Sequence, residues 1–162
     1  MNLEEKKIKS KFGELKMGKG PQNDFHWFCE VEIKDCIFPE KIPISIFTKK
    51  PEISKGMIEF VEEVVLNINS YLESAILFVK KVLTNEKEEY KIKENEYIFL
   101  DLDFRNFPID LPELNFTEGA DEWMIRFAEG KFDICYPYGI GVNFKNDKPF
   151  SVENLEDSEF IE

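Results

Sequence analysis

Ser54-Lys-Gly-Met-Ile-Glu-Phe-Val-Glu-Glu-Val-Val-Leu-Asn-Ile-Asn-Ser-Tyr-Leu-Glu-Ser-Ala-Ile-Leu-Phe-Val-Lys-Lys-Val-Leu83 is the stretch on which the fold turns. Met57, Phe60, Val61, Val64, Val65 and Ile68 recur at helical spacing, and Leu72, Ala75, Ile76, Val79 and Leu83 continue in the same phase. Ser54 is a good N-cap, because its short side chain can accept from an orphan N–H of the first turn. Asn67, Asn69 and Ser70 are weak helix formers, yet the apolar stripe passes through them without slipping. The pattern predicts one long helix, Ser54 to Leu83, bent near Asn69. At 1.5 Å per residue it would be roughly 43 Å long, enough to cross the face of a sheet.

The segments on either side read as strands. Lys11–Met17, Asp24–Ile33 and Ile42–Phe47 precede the helix, and the turn-rich Gly18-Lys-Gly-Pro-Gln-Asn-Asp24 joins the first two as a hairpin. Ile42, Ile44 and Ile46 alternate with Pro43 and Ser45. Pro43 cannot donate to a ladder, which predicts an edge strand or a missing donor turned outward. Beyond the helix, Thr84–Glu96 reads as a charged connector, Tyr97–Leu102 as a strand, and the chain through Pro108 and Pro112 as irregular. Trp123, Ile125 and Phe127 alternate with Met124, Arg126 and Ala128. Glu129-Gly130 then reads as a tight turn, after which Phe132 and Ile134 resume the alternation. Tyr136-Pro137 is a candidate cis bond, and Gly139 and Gly141 suit positive φ or close backbone approach. Gly141–Phe144 follows, with a turn at Asn146-Asp147. Together these segments predict an α+β fold, with a largely antiparallel sheet from N- and C-terminal strand meanders packed on one long central helix.

Residues 1–162 are expected to form a single domain, with 1–10 a solvated lead-in and 156–162 an acidic tail ending in a short helical turn. A chain of this length buries roughly 70 % of the surface its unfolded form exposes. Hydrophobic residues make up 43 % of it and sixteen are phenylalanines, ample material for a core. No apolar run approaches the ~20 residues of a membrane span. The opening Met1-Asn-Leu-Glu-Glu-Lys-Lys-Ile-Lys9 is charged where a signal peptide needs an apolar run. With three cysteines, Cys29, Cys36 and Cys135, none at metal-ligand spacing, the expectation is a cytoplasmic protein with reduced thiols.

Thirty-three acidic residues against 21 basic give a formal net charge of −12, with one histidine, His26, and two arginines, Arg105 and Arg126. Acid–base catalysis and anion clamping lean on the residue types that are scarce here. Such a field repels nucleic-acid phosphates and speeds encounter with a basic protein partner. Acidic clusters beside aromatics suit Lys- and Arg-rich surfaces. On that basis Glu118, Asp121 and Glu122, before Trp123, and Glu153, Glu156 and Asp157, in the tail, are the candidate partner-binding residues. A solvated charged rim that only keeps the protein soluble is the competing reading. Asp101-Leu-Asp103 could place two carboxylates on one side of a strand to hold a metal or divide into acid and base, but nothing else of an EF-hand is present. His26, between Phe25 and Trp27, lacks a nucleophile signature and reads as structural. No metal, cofactor, membrane or nucleic-acid partner is expected.

Phe12-Gly-Glu-Leu15, the Trp27 strand, Ile42–Phe47, Phe60…Asn67…Tyr71 and Phe132-Asp-Ile-Cys-Tyr-Pro-Tyr-Gly-Ile-Gly-Val142 resemble uncharacterised small bacterial domain families. Members of these families occur among the immunity proteins of polymorphic toxin systems. In those families a Glu-His pair precedes the glycine that matches Gly139. Here Pro137 and Tyr138 stand at those positions, so the resemblance transfers no functional residue. It implies a non-enzymatic immunity protein that occludes a basic toxin such as a nuclease, with carboxylates standing in for phosphates. The alternatives are a housekeeping interaction or regulatory module, and a metal-dependent enzyme using Asp101 and Asp103.

Overall fold

The computed structural model describes residues 6–156. Eight strands form one sheet whose spatial order is their order in the chain: β1 (Lys7–Ser10), β2 (Gly13–Lys19), β3 (Phe25–Val31), β4 (Ile42–Thr48), β5 (Ile109–Thr117), β6 (Glu122–Gly130), β7 (Ile140–Lys145) and β8 (Lys148–Asn154). Six of the seven neighbouring pairs are antiparallel, and β4 with β5 is parallel. Antiparallel neighbours need only a turn, whereas a parallel pair needs a crossover of a dozen or more residues. The helical stretch supplies it. The architecture is therefore α+β, two four-stranded meanders joined by a helical crossover.

Register explains the core. Cys29, Ile44, Leu114, Ile125, Val142 and Val152 form one row across six strands, and Trp27, Ile46, Phe116, Trp123 and Phe144 form the next. All are buried. Phe116, Trp123 and Phe144 stack in sequence, with centroids 5.1 and 4.5 Å apart. Phe60 and Tyr71 meet Trp123 edge-on at 6.2 and 5.3 Å, which identifies this as the face the helices cover.

The single helix expected over Ser54–Leu83 is two helices in the structure, α1 (Lys55–Leu66) and α2 (Ile68–Asn85), parted at Asn67. Asn67 has φ −110° and ψ 26°, and its Nδ2 donates to the Glu63 carbonyl at 2.9 Å. A short amide side chain that competes for the carbonyl four residues back is the local reason for the break. The apolar phase survives it. Val64, Ile68, Leu72, Ile76 and Val79 are buried, and Phe60 is half-buried against the aromatic row. The Ser54 cap is present, accepting from Met57 N at 3.2 Å.

Other expectations are corrected. Tyr97–Leu102 is not a strand: a 3₁₀ turn at Glu94–Glu96 leads into the short helix α3 (Tyr97–Leu100). Glu96 is buried and accepts from Lys93 N and Asp133 N at 3.0 and 2.8 Å, pinning this segment to the far meander. The chain around Pro112 is not irregular but belongs to the interior strand β5. Nor is β4 an edge strand. The parallel ladder pairs Ile44–Phe47 with Leu114–Thr117 and starts after both Pro43 and Pro112, so it asks no donor of either proline. Glu129-Gly130 is no hairpin turn, since both residues still pair with β5. Phe132 and Ile134 are buried but lie in a loop and the 3₁₀ turn Asp133–Cys135. The lead-in contains β1. The tail beyond Glu156, with its expected helical turn, lies outside the described residues.

Because Trp123 touches aromatic partners from α1, α2, β5 and β7, Trp123→Ala should destabilise the protein by about 3–5 kcal/mol, with Phe60→Ala, at the half-buried rim, costing less. Denaturant unfolding of the two variants checks the order; a larger loss for Phe60→Ala would misplace the centre of the cluster.

Candidate binding surfaces

The acidic residues singled out in the sequence do not gather into one patch. Glu118, Asp121 and Glu122 lie at the β5–β6 turn, at the level of Lys145 and Lys148. Glu153 sits five residues further along β8, beside Gly141, and Glu156 follows it. At about 3.4 Å per residue that is a separation of about 17 Å along the strands. Glu118 is half-buried, and its carboxylate accepts from Ser54 N at 2.6 Å, tying the sheet to the start of α1. It is an anchor. Asp121 and Glu122 are exposed. Glu153 accepts from Asn143 Nδ2 at 3.0 Å, and Glu156 pairs loosely with Lys91 at 3.9 Å. Asp157 lies outside the described residues.

Asp101 and Asp103 are not side by side on a strand. Asp101 follows α3, while Asp103 Oδ1 accepts from both the backbone N and the Nδ2 of Asn106, at 3.0 and 2.9 Å, closing a turn. Among the described residues no group of three or more His, Cys, Asp or Glu side chains could hold a metal ion. No helix among them is long and apolar enough to cross a membrane.

A surface missed by sequence reading lies on the outer side of α1. Glu59, Glu62 and Glu63, with Leu66, line a cavity of about 440 Å³ that Lys11 and Phe12 close from the β1–β2 turn. Leu66 is 83 % exposed. Glu62 accepts from Lys11 N at 2.8 Å, and Glu59 makes an i,i+4 pair with Lys55 at 3.8 Å. Glu62 and Glu63 lie near the last turn of α1, a turn that carries no basic residue, so these two carboxylates sit toward the negative end of the helix dipole, while Glu59 is mid-helix. Each such placement costs typically 0.3–1 kcal/mol when solvent-exposed, so roughly that much is recovered when a cation approaches. In the sequence they are simply the polar side of an amphipathic helix. The available signal was the position of Glu62 and Glu63 at the wrong end of it.

On the sheet face away from the helices, Arg126 donates through Nε to the Tyr138 carbonyl at 2.7 Å and through Nη1 to Glu113, its cross-strand neighbour. Gly139 lets the loop descend: its φ is +85°, and a Cβ there would lie 2.0 Å from the Phe127 carbonyl oxygen. The Tyr136–Pro137 bond is cis. His26 stacks on Phe47 with centroids 4.8 Å apart, and its Nε2 lies 2.8 Å from Ser45 Oγ. Burial holds its pKa below the ordinary 6.5. Burial also pushes the Cys29 thiol up to about 11 and the Cys135 thiol to about 12, so both are protonated at neutral pH. The three cysteines are free thiols.

Compared with protein-family models, curated proteins and solved structures, the chain matches none.

Cys36, half-buried where Cys29 and Cys135 are buried, should be the first thiol alkylated by iodoacetamide in the native protein. Peptide mass spectrometry reads the order, and equal labelling of Cys29 would mean that the β3 core face opens. His26 gives a second prediction. Its folded pKa lies below its unfolded one, so below pH 6.5 the unfolded chain binds more protons. Its neutral ring leaves stability unchanged above 6.5. Stability then declines as pH falls from 6.5 towards the folded pKa. Urea unfolding across that window should show a shallower acid slope for His26→Gln than for the native chain.

Proposed function

We propose that the protein is a non-enzymatic, cytoplasmic binding protein for a basic protein partner, most concretely an immunity protein that occludes a basic toxin such as a nuclease. The observation that carries this reading is the charge: a net −12 on 162 residues, spread over the β5–β6 turn, the end of β8 and the outer side of α1. Summed over a small surface, that charge raises encounter rates with a positive partner. The α1 surface adds what long-range charge lacks. It places exposed Leu66 beside Glu59, Glu62 and Glu63, an apolar contact ringed by carboxylates that a lysine- or arginine-rich surface would complement. Occlusion needs no catalytic group. The resemblance to immunity families in the sequence supports the same class of partner.

The test is kinetic. With a basic partner recovered from native cells and purified, the association rate should fall steeply from low to physiological salt, because exposed charges are screened over about 8 Å at 0.15 M. The dissociation rate, set by close contacts, should change less. Glu59→Gln with Glu63→Gln should slow association while leaving thermal stability unchanged or slightly higher, since both side chains are exposed and Glu63 opposes the helix dipole. Glu62 is left intact because it holds Lys11 N. Leu66→Ala should instead speed dissociation. Association indifferent to salt, or a partner that is itself acidic, would refute the electrostatic reading. Glu118→Gln is unsuitable for this purpose because it weakens the bond to Ser54 N.

A further inference from the structure

A second cavity, unrelated to the α1 surface, opens where the β3–β4 connection, the segment after α3 and the β5–β6 ends converge. It measures about 440 Å³, within the range of small-ligand sites of roughly 300–1,000 Å³. Ile37, Phe38, Phe107 and Ile109 form its apolar floor. The same four residues and Arg105 also line a deeper chamber of about 160 Å³, reaching Ile76 and Phe104. The cleft thus has an outer and an inner part.

Its rim is charged in two signs. Arg105 and Lys131 stand there, and so do Asp110 and Glu129. Among the described residues none of the four takes part in an ion pair with another protein side chain. Arg105 lies 5.6 Å from the Phe104 ring, and Asp110 Oδ1 accepts from Leu111 N at 2.8 Å. Asp110 and Glu129 are direct cross-strand partners in the β5–β6 register. Like charges in that position destabilise a sheet, and a cation placed between them removes the repulsion. Two cations and two facing carboxylates around one apolar cleft complement a ligand that carries both charges on a short frame.

We propose that this cleft binds a free α-amino acid with an apolar side chain. Its carboxylate would meet Arg105 and Lys131, its ammonium Asp110 and Glu129, and its side chain the inner chamber bounded by Ile76 and Phe104. No covalent step is involved. The site shares no residue with the α1 surface, so it stands or falls apart from the proposed partner.

Amide ¹H–¹⁵N NMR titrations of the full chain test it, using L-phenylalanine, L-leucine, glycine, N-acetyl-L-phenylalanine and L-phenylalaninamide. L-Phenylalanine or L-leucine should give saturable shifts confined to residues 37–38, 76, 104–110 and 129–131. Glycine lacks the side chain and the two blocked compounds each lack one charge; all three should bind at least about tenfold more weakly, about 1.4 kcal/mol. Arg105→Gln with Lys131→Gln changes only exposed side chains and should weaken phenylalanine by a similar factor. Glu129→Gln relieves the facing carboxylates, so it should raise the melting temperature of the free protein while removing the further rise caused by ligand. That pairing separates binding from mere structure. The proposal is overturned if neither amino acid gives saturable shifts, if the blocked compounds bind as well as phenylalanine, or if either variant binds like the native chain.

Discussion

The parallel pairing of β4 with β5 is the constraint on which the rest depends. Every other connection in the sheet is between antiparallel neighbours and can be short. This one must return the chain to the same end of the sheet, and the 60 residues between Thr48 and Ile109 do so by crossing one face as α1 and α2. The crossover commits that face to the core, which is why Trp123 can gather rings from both helices and both neighbouring strands. It leaves the other face to carry mixed rows, one of which runs Phe28, Ser45, Asn115, Met124, Asn143 and Ser151. It also sets the length of the ladder. Pro43 and Pro112 lie just before the four residue pairs of β4 and β5, so the two strands join where both have donors and part where either lacks one.

Much of this was legible because it rests on periodicity. The Ile42–Ile46 alternation, the Trp123–Phe127 alternation and the helical stripe from Phe60 to Val79 each state which side is buried, and burial follows them. What failed were inferences from single punctuating residues. Pro112 read as the end of regular structure, whereas it stands in a strand whose donor is not needed at that point. Gly130 read as a turn, whereas it still pairs with Ile109. Tyr97–Leu100 is too short for period to decide, and a turn capped by buried Glu96 made it helical. Asn67 broke a helix whose apolar phase ran on unbroken, because the phase is set by the sheet beneath and the break by a side-chain amide bonding its own backbone.

The candidate surfaces were far less legible, and the reason is geometric. Acidic residues near one another in sequence, such as Glu118 and Glu122, end with different roles: one is an anchor for Ser54 N and the other an exposed side chain. Glu153 and Glu122 belong to strands two apart in the sheet, yet lie towards opposite ends of them. The cleft floored by Phe38 and Phe107 assembles from three segments separated by tens of residues, none with a motif of its own. A pattern of period two or 3.6 tells which way a side chain points. It does not tell which distant segment it will meet.

Under the proposed binding role, charge and contact carry different parts of recognition. The net −12 is distributed, so no single carboxylate dominates the field and the loss of one changes encounter little. The contacts that hold a bound partner must be local and must combine apolar area with satisfied polar groups. On α1 three features lie together: an exposed leucine, three glutamates of which Glu62 and Glu63 are set against the helix dipole, and a cavity closed by the β1–β2 turn. Helix α1 keeps Val61 and Val64 in the core while Glu59, Glu62, Glu63 and Leu66 face outward. The break at Asn67 ends α1 directly after Leu66, leaving that side chain on the final turn, where the next helix does not cover it. The same asparagine that interrupts the crossover thus sets where its most exposed apolar side chain is presented.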